Sequence, residues 1–306
     1  MIFVRDKGQM CNNILQFAHV YAWAKENGCQ CISMRFAYKY QYFNICTEFK
    51  HNFFSYLLGK FMAFTGIIPV VAYNDINEDK SEKERFILSH RSVMVEGWCV
   101  RYFDLFHKYK EDIKTLFRFK PSIQGKIDAY IHNTSPQDEV KIGIHIRRGD
   151  YKTWLNGVFY FSDEEFITYV NRFIQSLANK PCVVYICGNA SALDHDKFKS
   201  SIKSSKVYFP NGNPGEDLCL LSQCDYVIGP PSSFSLVASM YGKVASWFYN
   251  IIVLLLKCDN PTSVLTSNIQ RRIRTFHVTN DYLIKGLYRL QHLRKMLLRI
   301  ICIYYN

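Results

Sequence analysis

Two adjacent arginines, Arg147 and Arg148, directly follow an apolar segment whose pattern predicts a β-strand. Isoleucine alternates with glycine and histidine in residues 142–146, the period-two pattern of a strand with two different faces. Guanidinium groups bind phosphate oxygens bidentately and keep their charge when partly buried. Because ligands of open α/β sheets lie beyond the carboxyl ends of the strands, we predict that both arginines bind a phosphorylated ligand.

Other interpretations of this stretch stay open. Paired arginines after a strand are also common as solvated surface charges. The tripeptide at residues 148–150 spells an adhesion signal as well, but that function needs an exposed loop tip, and the position directly after an apolar strand argues against it. Asp150 either holds one guanidinium in place or faces the reacting centre.

A second group of polar residues opens a predicted helix at Ser232, Ser233, Phe234 and Ser235. Serine hydroxyls and free backbone N–H groups at a helix start form an anion site, because the first turn has unpaired donors and the helix dipole favours negative charge. Ser233 or Ser235 would equally serve as a helix cap. Together with the arginines, this group predicts a diphosphate site without a divalent cation, since no Asp-x-Asp follows a strand.

The elements that must position these residues alternate in type. Strands alternating with helices predict parallel pairing and a doubly wound α/β domain. The predicted strands are residues 2–5, 29–34, 93–98, 142–146, 182–187, 207–209, 226–229 and 244–247. The predicted helices are residues 12–28, 102–119, 162–177, which starts at a Ser-x-x-Glu capping box, 216–223 and 234–241. Residues 74–85 are polar and predict a loop, and residues 121–138 predict a linker with the domain junction near residue 136.

Bulk properties limit the functional class. The 306 residues suffice for two domains, and the net charge of +12 favours anionic partners. The 11 cysteines are an odd number without metal-type pairing, which favours a reducing compartment. The N-terminus lacks a signal-peptide core, and the longest apolar run, residues 244–256, is shorter than the about 20 apolar residues that cross a bilayer. We therefore expect a cytoplasmic protein.

The C-terminal tail, residues 271–306, carries eight Lys and Arg against one acid. Its leucines follow helical spacing, so the tail either lies on an anionic membrane surface or docks on its own protein with a solvated basic face. A nucleic-acid-binding protein is the alternative class that the charge suggests. The basic excess is largest in the tail and no RNA-binding signature appears, so no nucleic-acid partner is expected.

The sequence resembles the α-1,2-fucosyltransferase family, whose members use GDP-fucose. Residues 145–150, HIRRGD, match the H-x-R-R-x-D signature of that family. Three further stretches agree in order and spacing: residues 7–18 with an opening K-G-G-L-G-N-Q-L-F-Q-Y-A, residues 217–224 with D-x-x-L-M-S-x-C, and residues 232–235 with S-S-F-S. The resemblance covers about residues 1–245.

The resemblance implies an α/β, GT-B-like architecture with two Rossmann-like domains facing across a cleft. Residues 1–136 would form the acceptor-side domain and residues 137–306 the nucleotide-sugar-binding domain. Inversion at the anomeric carbon without a metal or other cofactor is expected. By position, Arg147 would contact the diphosphate, His145 and Arg148 the nucleotide or the supporting loop, and Asp150 would lie near the donor. The remaining donor-side candidates are Asp217, Ser232, Ser233, Phe234, Ser235, Gly8 and Asn12.

The resulting hypothesis is a transferase that moves L-fucose from GDP-fucose to a galactose-terminated glycan, with α-1,2 linkage, in surface polysaccharide or oligosaccharide synthesis. Arg147 would stabilise the leaving diphosphate, and Asp150 and Asp6 are the candidates for a general base. The alternatives are a related transferase with another nucleotide sugar, a basic nucleic-acid-binding protein, and a sugar-nucleotide-binding protein without catalysis.

Overall fold

The structure, a computed structural model, describes most of the first 242 residues. The described ranges are residues 1–5, 8–33, 41–47, 51, 53–75, 78–135, 139–157, 159–177, 180–188, 193–204, 206–230 and 232–242. Three sequence predictions therefore lie outside the described residues: Asp6 as a candidate base, the strand at residues 244–247 and the basic tail at residues 271–306.

The first sheet is parallel, with strand order β2-β1-β4-β3. Its faces differ because Ile2 and Val4 pack against α1, whereas Phe3 points the other way onto α2. α1 is buried nearly all round, since every residue from 13 to 20 is buried, and its apolar side chains belong to the main core. In chain order the elements are β1 Ile2–Val4, α1 Met10–Glu26, β2 Cys31–Ser33, α2 Phe53–Phe64, β3 Val70–Ala72, α3 Ser81–Ser89 and β4 Val93–Glu96.

The second sheet is also parallel, with order β7-β6-β5-β8, so β5 lies at its centre. The predicted capping box is confirmed: Ser162 accepts from the backbone N–H of Glu165, whose carboxylate accepts in return from the N–H of Ser162. In chain order the elements are β5 Val140–Ile146, α7 Asp163–Ser176, β6 Cys182–Gly188, α8 His195–Ser201, β7 Lys206–Tyr208, α9 Pro214–Ser222, β8 Tyr226–Ile228 and α10 Ser233–Tyr241.

Three further helices join the two sheets: α4 Phe103–Lys108, α5 Lys110–Leu116 and α6 Pro121–Thr134. The predicted continuous helix at residues 102–119 is interrupted at Tyr109, which serves as the cap of both short helices. The prediction of a linker at residues 121–138 was wrong, because most of it is α6. Its proline occupies the first turn, where a missing N–H costs nothing, and Ile123, Ile127 and Ile131 are buried.

Other differences from the sequence prediction are smaller. The polar stretch at residues 74–85 is not all loop, since α3 begins at Ser81 on a run of charged residues. The short elements β3 and α8 were not predicted. β3 has only three residues and α8 seven, which is too few for a periodic pattern to be distinguished from chance.

Helices pack the two sheets together. α1 packs against α10, and α6 packs against α9. The Tyr241 hydroxyl donates to the carbonyl of Phe117 over 2.6 Å. The ring of Tyr42 lies against Gly215, where an added Cβ would be 2.3 Å from the ring. Among the described helices, none is both long enough and apolar enough to span a bilayer.

Candidate active site

The carboxyl end of β5 is joined to the start of α10 by a buried histidine. His145 Nδ1 lies 2.9 Å from Ser235 Oγ and 3.4 Å from Ser232 Oγ, and its ring stacks on Phe234 with 4.8 Å between centroids. Burial, and then the charge of Arg147, lower the pKa of His145 to about 3. The imidazole is therefore neutral at physiological pH, and it fixes the helix start against the strand end.

The serines at this helix start have different roles. Ser232 is the helix cap, because its hydroxyl accepts from the backbone N–H of Ser235 at 3.2 Å. Ser235 is fully buried and bonded to His145, so its hydroxyl supports the site from within. The backbone N–H groups of Ser233 and Phe234 lie in the first turn, where the helix itself supplies no acceptor. These two amides are the donors that α10 offers to an anion.

Arg147 extends from the β5 end into the junction between the sheets. Its Nη2 donates to both carboxylate oxygens of Asp150, at 2.8 and 3.0 Å, and the guanidinium lies 4.9 Å from the ring centroid of Tyr151. Its Nε is buried and has no hydrogen-bond acceptor among the described residues. Since Asp150 is 60% exposed, the ion pair is open to exchange with a phosphate.

Arg148 has a different partner from its neighbour. It pairs with Asp163, the first residue of α7, and the two side chains are 16% and 14% exposed. Its guanidinium also lies 5.9 Å from the ring centroid of Tyr160. In this arrangement Arg148 fixes the loop between β5 and α7. Sequence reasoning missed Asp163, whose only signal was its place at the start of a capped helix, where acidic residues are favourable.

The start of α1 lies near the same junction. The charge of Arg147 is close enough to Cys11 to lower the pKa of its thiol, against a larger raising effect of burial. Cys11 lies in the first turn of α1, beside Asn12. Gly8 has φ of +89°, and an added Cβ would lie 2.8 Å from Asn12 Nδ2, so this turn requires glycine. Cys11 is thus near Arg147, and a role of Gly8 and Asn12 in donor binding stays a prediction.

Asp217 is a buried carboxyl group on α9. Burial, and then the charge of Glu216, raise its pKa to about 7. Its Oδ1 is buried without a hydrogen-bond partner among the described residues. Burial, and then the charge of Asp217, raise the pKa of Cys187, which pairs in register with His145 on the neighbouring strand. Asp217 therefore belongs to the same edge of the sheet as the residues around His145.

A glycine that sequence reasoning did not assign allows the strand ends to approach. At Gly229, just after β8, an added Cβ would lie 2.7 Å from the carbonyl oxygen of His145 and 3.1 Å from its Cβ. Any side chain here would push β8 and the start of α10 away from β5. The available signal was a glycine at the end of a predicted strand.

Metal ligands were not expected from the sequence. Within the described ranges, no three or more His, Cys, Asp or Glu side chains cluster in a way that could hold a metal ion. The cationic and amide donors around the β5 end are the groups that this edge of the sheet offers to an anion.

Comparison with solved structures identifies the fold. The fold resembles that of POFUT1 in complex with GDP-fucose, at a TM-score of 0.55 and 10% identity over 78% of this chain and 93% of that chain. It also resembles an arginine-to-lysine mutant of Arabidopsis thaliana FUT1 in complex with GDP, at a TM-score of 0.53 and 15% identity over 79% of this chain and 68% of that chain. The two parallel sheets thus form the GT-B-like fold that the resemblance implied.

The family assignment is more specific than the fold. The model of glycosyl transferase family 11 matches residues 72–246, which is more than half of the 306 residues, and the chain belongs to this family. The matched region contains the H-x-R-R-x-D signature, and the resemblance to fucosyltransferases is confirmed. No curated protein matches the chain in sequence.

Proposed function

We propose that this transferase moves L-fucose from GDP-fucose, with inversion and without a metal, to a galactose-terminated glycan. The observation that carries the proposal is the Arg147 guanidinium, held at the carboxyl end of β5 with a buried, unsatisfied Nε. Membership of glycosyl transferase family 11 supports the reaction class. The donor is supported by two proteins of similar fold whose structures contain GDP-fucose and GDP.

The proposed chemistry is charge stabilisation of the leaving diphosphate. As the glycosidic bond to fucose breaks, negative charge develops on the phosphate oxygens. Arg147 and the amides of Ser233 and Phe234 are preorganised donors for that charge, and such electrostatic stabilisation commonly lowers the barrier more than any other single effect. The two amides need no reorganisation when the charge appears, because His145 and the Ser232 cap already fix the helix start. Arg147 would exchange Asp150 for the phosphate when the donor binds.

A carboxylate is the natural acceptor for the proton of the attacking hydroxyl. Asp150 lies beside Arg147 and is largely exposed, so it would be available once a phosphate takes its place on the guanidinium. Asp6 in the first loop is the other candidate. A positioned general base contributes about 10²- to 10⁴-fold to the rate.

Asp217 is the proposed contact to the base of the donor. Guanine offers neighbouring N–H donors on one edge, and the unsatisfied Oδ1 of Asp217 is an acceptor that such donors would satisfy. Since a carboxylate accepts more strongly than a carboxylic acid, the contact favours the ionised form of Asp217. A uracil base presents a single ring N–H and an adjacent carbonyl, which suits this acceptor less well.

The proposal also covers the acceptor, the linkage, the pathway and the location of the enzyme. We assign α-1,2 linkage and a role in surface polysaccharide or oligosaccharide synthesis, on the strength of the H-x-R-R-x-D signature. The basic tail at residues 271–306 would hold this cytoplasmic enzyme peripherally on an anionic membrane. No nucleic-acid partner is proposed.

The donor assignment is tested by offering the purified protein GDP-fucose, GDP-mannose and UDP-sugars with a panel of galactosides, in the presence of EDTA. We expect fucose transfer from GDP-fucose that EDTA does not reduce, with the product linkage established by NMR. Turnover with a UDP-sugar alone, or a strict need for added metal, would contradict the proposal. GDP binding without transfer to any acceptor would instead favour the non-catalytic alternative.

A further inference from the structure

Helix α2, Phe53–Phe64, is apolar on both of its long faces. One face covers the first sheet, where Tyr56, Met62 and Ala63 pack against the cluster of Phe3, Ile32, Ile68 and Met94. Gly59 allows the close approach, since an added Cβ would be 2.7 Å from the Phe3 ring. The packing on this side is what holds the helix in place.

The opposite face of α2 is exposed although it is made of large apolar side chains. We call the following five residues the α2 patch: Leu57 at 44%, Leu58 at 54%, Phe61 at 60%, Phe64 at 90% and Ile67 at 63% exposure. The helical members recur at a spacing of three to four residues, so they form one continuous stripe. A helix that is apolar all round is normally buried on both sides, and a contiguous exposed stripe marks an interaction surface.

The charges around the α2 patch indicate the chemistry of its partner. Between residues 51 and 74 the sequence contains no Asp or Glu, and Lys60 is its one Lys or Arg. Lys60 is exposed on α2, with its Nζ 5.9 Å from the ring centroid of Tyr56. An apolar surface that carries one lysine and no acid within its own segment matches the interface of an anionic bilayer, where acyl chains lie beneath negative headgroups.

We propose that the α2 patch inserts into the surface of an anionic membrane. A second copy of the chain suits the patch less well, because a twofold contact would bring Lys60 of one copy close to Lys60 of the other without a carboxylate between them. The tail at residues 271–306 also favours an anionic partner over a second copy of the chain, because it carries eight Lys and Arg against one acid. The proposal is independent of the sugar that the enzyme transfers.

The first test measures whether the α2 patch inserts into the acyl-chain region of the bilayer. Phe61→Trp and Leu88→Trp variants of the full chain are mixed with phosphatidylglycerol vesicles whose acyl chains are brominated, and the added tryptophan emission is compared with the wild type. Leu88 is a matched control, 50% exposed on α3, which packs on the other face of the sheet. We expect quenching at position 61 and none at position 88. Equal emission at position 61 with and without vesicles overturns the proposal, including the case in which another part of the chain covers the patch.

The second test measures affinity. The Phe61→Ser/Phe64→Ser variant is expected to bind phosphatidylglycerol vesicles at least about tenfold more weakly than the wild type, since two large apolar side chains no longer leave water. Leu88→Ser should bind as the wild type does, and fucose transfer to a soluble galactoside should be unchanged in both variants. Unchanged vesicle affinity of the double variant contradicts the proposal. So does a wild-type dimer in sedimentation that the double variant converts to a monomer.

Discussion

Arg147 and Arg148 are neighbours in sequence, yet their side chains have different partners. Arg147 is paired with the exposed Asp150 in the junction between the sheets, whereas Arg148 is paired with the largely buried Asp163 at the start of α7. The difference follows from where each side chain leaves the end of β5. Mutation of Arg147 and mutation of Arg148 should therefore have different effects.

Arg147→Ala is expected to reduce donor affinity or turnover at least tenfold, which corresponds to about 1.4 kcal/mol of lost interaction. The physical reason is the loss of the strand-end cation that would neutralise the diphosphate. GDP titration and initial rates with GDP-fucose measure the effect. Arg91→Ala is the control, because Arg91 is exposed and its backbone carbonyl accepts a hydrogen bond that alanine preserves. Wild-type kinetics in a folded Arg147→Ala protein would remove this residue from the site.

Arg148→Ala is expected to act mainly on stability. Removing one member of a mostly buried ion pair leaves Asp163 without compensation, at a cost of about 1–3 kcal/mol in the free energy of unfolding. Urea denaturation of Arg148→Ala, Asp163→Asn and the double variant measures this cost, and the two single effects should not add. Full stability together with a loss of donor affinity as large as that of Arg147→Ala would show instead that Arg148 binds the ligand.

Asp217 should make stability depend on pH. Its folded pKa of about 7 lies above the ordinary value of 3.8, so the folded protein holds the proton more tightly than the unfolded chain. The free energy of unfolding should therefore fall as pH rises from about 4 to about 7, by about 1.4 kcal/mol for each pKa unit. Asp217→Asn should flatten this part of the profile. An identical profile in the variant would contradict the buried, ionisable Asp217.

At the scale of elements, the site depends on how closely β8 and α10 approach β5. The hydrogen bond between His145 and Ser235 and the stacking of His145 on Phe234 connect these elements. Gly229 makes the approach possible, since no Cβ stands between β8 and the β5 backbone. The first-turn amides of α10 are therefore positioned by packing and not by the loop sequence alone.

Gly229→Ala should displace the start of α10, because its new Cβ would meet the backbone of His145 at 2.7 Å. We expect lower GDP affinity and a loss of about 1–3 kcal/mol in the free energy of unfolding. Gly125→Ala is the control, since nothing lies within 4 Å of its added Cβ on α6. Alanine there should be neutral or stabilising. GDP affinity that stays at the wild-type level in Gly229→Ala would exclude a role for this close approach.

The elements that the sequence predicted well carry strong local signals. The alternation in β5 and the Ser162–Glu165 capping box each identify their element from a few residues. Two errors have a common cause. The polar composition of α6 and of the first residues of α3 predicted loops, but three buried isoleucines on α6 and a buried Ile87 on α3 are enough to dock a helix.

At the scale of the whole molecule, the sequence predicted two parallel sheets and a site at the carboxyl end of β5. It could not predict which side chains pair across the fold. The partners Arg148 and Asp163 are 15 residues apart, and His145 and Ser235 are 90 apart. Such contacts depend on the register of strands and the packing of helices, which local patterns do not determine. The exposed apolar face of α2 is likewise visible only once its other face is known to be buried.

The most direct measurement is the position of GDP in a crystal of the protein grown with the nucleotide. We predict the diphosphate at the end of β5, with the Arg147 guanidinium turned from Asp150 to the phosphate oxygens and the Ser233 and Phe234 amides within hydrogen-bonding distance. GDP bound elsewhere, with the ion pair between Arg147 and Asp150 intact, would contradict the proposed site.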